Sequence, residues 1–353
     1  MNAAPAPDGS LLFSSNPSTV DAGLWWRRAG DGESVPMSAG VGEYVDSYLS
    51  PDGRRAVSTL VDVRQSLVQI PLQAGGSVEV RRLTDGYTGD LFPIFDASGR
   101  RLAFSSSRSG SRGIWLARPD ATKPTPLTTG SAIDDRPAFS PRGDQIAFVS
   151  GRGGHQGIWV VNADGGPPRF VGEGIAIDTV TWSPDSKRIL FSTPGDRLAK
   201  LVTMSVDDGR VEPFPAPAPG HAPSWSLTTN RLAYLELEEA TESRLSRTTL
   251  AIMTGGNRRL YPNDSTLQGF ANGYTAWSPD GQRIALVANQ ANSRATIWIC
   301  DPDAPDPFHQ LIELPVSVRV RGITWTPDGS SVLVAEQESR SDIVLFDLTA
   351  SAK

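Results

Sequence analysis

Few side chains in this chain are of a type that does chemistry, and their spacing says as much as their identity. The histidines are His155, His221 and His309, and the cysteine is Cys300. A histidine-based metal site needs several imidazoles to converge, and these three fall at unrelated phases of the internal repeat set out below, so metal catalysis is not expected. Cys300 follows the apolar run Ile297-Trp298-Ile299 and reads as a small buried hydrophobe rather than a reactive thiol. A serine nucleophile would need a Gly-x-Ser-x-Gly elbow between strand and helix, a spacing absent from the sequence. The glycine-rich stretch from Gly151 to Gly157 lacks the Gly-Lys-Ser/Thr of a phosphate loop and reads as a hairpin turn. Asp301, Asp303 and Asp306 lack the glycine and terminal glutamate of a calcium loop and read as a solvated turn.

Charge defines a second set. Asp135, Asp178, His221 and Arg321 recur at one phase of the repeat, with Asp90 and Asp134 one residue earlier. There they would enter the mouth of a central channel, giving a polar and mainly acidic rim. Such a rim is either plainly solvated or a site for a cationic group or basic peptide, whose binding would weaken with salt.

What must position these residues is an internal repeat of roughly 44 residues, whose clearest copy is the segment Trp277-Ser278-Pro279-Asp280-Gly281 followed by the apolar run from Ile284 to Leu286. Its bulky anchor falls at Leu49, Phe95, Phe139, Trp182, Trp225, Trp277 and Trp325, and an eighth copy opens the chain with Pro5 at the anchor position. In the unit anchored at Phe139, Ser140 to Gly143 supplies turn chemistry between two strands, Ile146 to Val149 is the second strand, and Ile158 to Val161 the third. Pro168 to Val171 is a weaker fourth. Second and third strands are apolar on consecutive residues, which predicts cover on both faces.

Four-stranded antiparallel meanders that need cover on both faces are satisfied by radial packing around an axis. The fold class is therefore all-β, a single β-propeller over residues 1–353 with eight blades, the first and last incomplete; the alternative is seven blades with an N-terminal appendage. Trp25, Trp26, Trp115, Trp159 and Trp298 share a third-strand phase and are assigned to packing between sheets. Extra residues from Glu238 to Arg247 lengthen one hairpin. A net charge of -6 opposes sequence-independent attraction to nucleic acid, and no run reaches the length of a membrane span or shows the pattern of a signal peptide.

The aromatic-Ser-Pro-Asp-Gly turn, full at Ser50 to Gly53 and Ser278 to Gly281, combines with the Ser-x-Arg elements Ser106-Ser107-Arg108 and Ser150-Gly151-Arg152. Together they resemble the TolB-like, WD40-like bacterial propeller repeat, along nearly the whole chain. The ending from Ile323 to Gly329, with Ser341 to Leu345, resembles the C-terminal sensor propellers of bacterial kinases and winged-helix regulators. The resemblance implies a non-enzymatic scaffold or sensor without a cofactor, a monomer binding a protein or peptide, or a small ligand in the channel. It implies an extracytoplasmic place if the chain is part of a longer TolB-like or receptor protein, and a cytoplasmic one otherwise. The alternative is a propeller hydrolase or lyase, or the propeller of a prolyl-oligopeptidase-type peptidase without its catalytic domain.

Overall fold

In the computed structural model the described residues are 3–14, 23–30, 33–37, 43–72, 79–176, 178–195, 198–238, 247–261, 273–288 and 294–348. Apart from a single 3-10 turn, Arg152–Gly154, every regular element among them is a strand. The strands form seven antiparallel sheets. The first sheet is complete, not truncated: Ala3–Pro5, Leu11–Ser14, Leu24–Arg27 and Ser34–Pro36 supply all four strands.

Two compact units divide the chain: residues 1–64 with 338–353, and residues 65–337. In the first, Leu12, Leu24, Tyr44 and Ala56 form the core, with the Tyr44 and Phe346 rings 5.9 Å apart.

In the second unit six inner strands carry the anchors: Leu91–Phe95, Asp134–Phe139, Val180–Trp182, Gly220–Trp225, Tyr274–Trp277 and Val318–Trp325. Each packs on the next and the last packs on the first, so they close a ring. Both ends of the unit build the closing sheet: Val318–Trp325 and the start of Ser331–Asp347 meet the end of Arg55–Pro71, which pairs with Arg81–Arg82. Gln69 donates to the Ser331 hydroxyl at 3.1 Å and the Leu72 amide to the Ser330 carbonyl at 3.0 Å across that junction. Closing a ring with strands from both ends removes the open edges a stack of sheets would leave.

The anchors clamp neighbouring sheets together. The indole N–H of Trp182 donates to the Ala138 carbonyl at 3.0 Å, that of Trp277 to Ser224 at 3.1 Å and that of Trp325 to Ala276 at 2.9 Å. Each acceptor sits one residue before the preceding sheet's own anchor. Arg283 adds a second clamp, stacking 4.9 Å from the Trp325 ring and donating to the Gly329 carbonyl.

The Ser-Pro-Asp-Gly turn owes its composition to a closed hydrogen-bond circuit. In the copy anchored at Trp277, the Ser278 hydroxyl donates to Asp280 and accepts the Arg283 amide at 2.9 Å, while the Gln282 amide donates to Asp280 at 3.0 Å. Gly281 takes a φ of 70°, which favours glycine. These donors, the Ser278 hydroxyl first, hold the Asp280 carboxyl below its usual range, and serine or threonine hydroxyls do the same for Asp52, Asp185 and Asp328. A carboxylate depressed in the folded state contributes stability above its unfolded pKa of about 4 and loses it as pH falls further. The thermal midpoint is therefore expected to drop below about pH 4, and Asp280→Asn to lower it at pH 6 more than at pH 3. Equal lowering at both pH values would show that the turn does not contribute through the ionised carboxylate.

Candidate functional site

Within residues 65–337 the ring of inner strands surrounds a cavity of about 320 Å³. Its walls are the anchors and their neighbours from all six sheets, and it extends to the turn residues Ser98, Leu227 and Pro279. At its other end lie Phe92, Arg136, Thr179 and Gly322, each three residues before its anchor. These four make the floor.

The floor is built on an irregularity of the strands. Register shifts occur at Leu91/Ile94, Asp135/Ala138 and His221/Ser224, and the extra residue adopts a left-handed backbone at Phe92 (φ 51°), Arg136 (φ 55°) and Ala222 (φ 52°). The equivalent Gly322 has φ 129°, and a Cβ there would come within 2.9 Å of the Phe92 Cα. Bulges that re-aim side chains and strained non-glycine backbone both concentrate at binding sites.

The six charged residues singled out in the sequence separate into three arrangements. Asp90 and Asp134 are sealed inside their own sheets, 0% and 1% exposed. Arg108 Nη2 reaches both oxygens of Asp90 at 2.8 and 2.9 Å, with Thr88 donating a third bond at 2.9 Å. Asp134 is held likewise by Arg152 and by the Ser150 hydroxyl at 2.6 Å. Neither carboxylate is free for a ligand, because the Ser-x-Arg element consumes it. The sequence carries a signal for this pairing that the anchor alignment alone misses. Among the anchored repeats, only those at Phe95 and Phe139 have aspartate five residues before the anchor, and only they have arginine thirteen residues after it.

Asp135 and Asp178 lie beside the floor and are also buried. Asp178 accepts the Thr179 amide at 2.7 Å, the Ala222 amide and the Ser192 hydroxyl, with His221 Nδ1 3.5 Å away. The Nε2 of His221 is buried without a protein partner. Asp135 receives Arg112 and Arg136, each at 3.4 Å, and the Arg136 amide at 3.2 Å. Arg321, the third arrangement, is exposed and donates through Nε to Gln337 at 3.1 Å. The buried phenol of Tyr274 has its pKa raised, chiefly by burial, with the charges of Arg321 and Arg136 opposing the rise. Two guanidiniums absent from the sequence-based set, Arg112 and Arg136, thus change the balance at this level. With Arg321 they set three cations against the carboxylates of Asp135 and Asp178.

The other candidates do not converge. His155 packs on the Phe170 ring, and His309 lies in the outer strand Phe308–Glu313. Cys300 is buried, and burial pushes its thiol up to about 12. Asp303 pairs with Arg231 at 3.4 Å. Among the described residues no group of three or more His, Cys, Asp or Glu side chains could hold a metal ion, and no helix is long and apolar enough to cross a membrane. The long hairpin from Glu238 to Arg247 falls on residues 239–246, outside the described set.

Residues 47–216, a little under half of the chain, match the family profile described as the TolB beta propeller domain. In fold the chain is like the TolB propellers. Solved structures agree in fold. A protein assigned as TolB from Agrobacterium tumefaciens aligns with a TM-score of 0.59 and 17% identity, over 80% of this chain and 99% of that one. TolB from Acinetobacter baumannii aligns with a TM-score of 0.53 and 13% identity, over 79% of this chain and 66% of that one. No curated protein matches the sequence. At these identities the shared property of the TolB-like propellers is architecture, and function has to be argued from the site.

Proposed function

We propose that this TolB-like propeller is a non-catalytic binding module that takes a segment of a protein or peptide into the central cavity from its turn end. The observation that carries the reading is the cavity itself: about 320 Å³, lined from six sheets by aromatic and proline side chains interspersed with serine and threonine, with Arg136 and Thr179 at its far end. Apolar walls with a few placed polar groups are the usual composition of a ligand site. The indole N–H groups of Trp182, Trp277 and Trp325 are spent on clamping sheets, so these three side chains offer the cavity shape and apolar surface. Asp135, Asp178, His221 and Arg321 belong to the proposal as the layer at the floor that reads the charge of the inserted segment.

Selection from a random displayed peptide library, followed by hydrogen exchange on the complexes, tests this. Protection is expected at 92–98, 179–182 and 275–279, and peptides of different sequence should compete with one another. Protection confined to outer hairpins, with those segments unchanged, would place the binding surface elsewhere.

A further inference from the structure

We infer that the floor of the cavity is a carboxylate-binding site, with Arg136 as its central group; the inference rests on the cavity being the binding site and specifies what enters it. Arg136 is at once part of the floor and part of an unbalanced charge cluster. Its guanidinium shares Asp135 with Arg112, both at 3.4 Å, so one carboxylate faces two cations at distances longer than a good charge-assisted hydrogen bond. The Nε atoms of both arginines are buried and have no acceptor within the protein. Side-chain exposures of 23% for Arg136 and 29% for Arg112 leave little solvent to compensate. Buried donors without acceptors are costly, and a planar guanidinium with open donors is matched geometrically by a carboxylate.

The surroundings hold Arg136 in place for that role. Its guanidinium lies 4.9 Å from the centre of the Phe92 ring, and that ring packs edge-on against Tyr274 at 6.2 Å. Its left-handed backbone, at φ 55°, is the kind of strain retained where a side chain must be aimed. An anion inside the cavity meets this charge away from bulk water, so partial desolvation strengthens the contact relative to a surface ion pair. The aspartates alone would select a cation. Counted with Arg112 and Arg136, the same level selects an acidic group carried on an apolar segment, either a C-terminal carboxylate or an acidic side chain.

Three peptides separate these sources by calorimetric titration: N-acetyl-Gly-Leu-Phe with a free C-terminus, the same peptide as its amide, and N-acetyl-Gly-Glu-Phe amide. At least one acid is expected to bind about tenfold or more tightly than the neutral amide, with the advantage reduced at high salt and erased by Arg136→Gln. Binding of the free-carboxylate peptide alone identifies a chain terminus, and binding of the glutamate peptide a side chain. Arg136→Lys, which keeps the charge without the fork, should recover part of the preference. Should Arg136→Gln not fold, the amide and acid comparison on the unaltered protein decides alone. Equal binding of all three overturns the carboxylate site while leaving a binding cavity, and binding of none overturns it too. Library peptides that protect the cavity without an acidic preference would then show that only the charge assignment failed.

Discussion

Replacing Trp182 by alanine is expected to destabilise the propeller by about 3–5 kcal/mol, the range for removing a large aromatic from a close-packed core. Trp182 is 2% exposed, packs with Val180, Ile189 and Phe191, and gives its indole N–H to the Ala138 carbonyl of the preceding sheet at 3.0 Å. The substitution opens a cavity between two sheets and leaves that buried carbonyl without its donor, two losses that add because neither is open to water. Trp225 holds the equivalent position and is the internal control. It is half-buried, and its indole N–H goes to Asn230 in its own turn at 3.1 Å, so the ring packs towards Phe214 but its N–H makes no bond to the neighbouring sheet. Denaturant unfolding of both variants should show Trp225→Ala losing no more than about half as much. Equal losses would mean that the anchors act through bulk alone and that the bonds between sheets add nothing measurable.

The contrast between these tryptophans marks how far the sequence could be read. Consecutive apolar residues placed the second and third strands well: Ile146 to Val149 lies within Gln145–Ser150, and Ile158 to Val161 within Gly157–Asn162. Their environment is fixed by local pattern, because both faces of these strands are covered whatever sheet lies next to them. Sheet membership at the ends is a non-local choice. Arg55–Pro71 and Ser331–Asp347, 17 residues each, become neighbours only because the chain closes on itself, and no local signal names a partner hundreds of residues away. At the site, the anchors gave the phase of Asp135, Asp178, His221 and Arg321. They did not give the bulge that turns Arg136 into the floor. A left-handed arginine has no signature of its own, since the residues at the equivalent bulges are Phe92 and Ala222. Arg112 escaped for another reason: it reaches Asp135 from the hairpin of the preceding sheet.

Asp90→Ala is expected to cost about 3–5 kcal/mol, the scale for removing one partner of a buried ion pair. Were Asp90 a rim residue facing solvent, the same change would fall within about 0.5 kcal/mol of the unaltered protein and act only on ligand affinity. The expected loss is large because Asp90 is fully buried and Arg108 cannot simply turn to water. That guanidinium is 15% exposed and lies 5.1 Å from the ring centres of both Phe104 and Trp115, bonded on one edge to Asp90 and through Nε to the Ser106 hydroxyl at 2.9 Å. Without the carboxylate, a cation remains between two aromatic faces with its strongest acceptor gone. Arg108→Met alone should be comparably harmful, since it strands the carboxylate instead. The double variant Asp90→Ala with Arg108→Met removes both charges and leaves an apolar side chain against the rings, so it should be more stable than either single variant. That crossing of the double above the singles is the signature of a pair that acts as a unit. Additive losses would show that Asp90 and Arg108 stabilise the sheet independently, and a negligible loss for Asp90→Ala would return Asp90 to the set of residues available to a ligand.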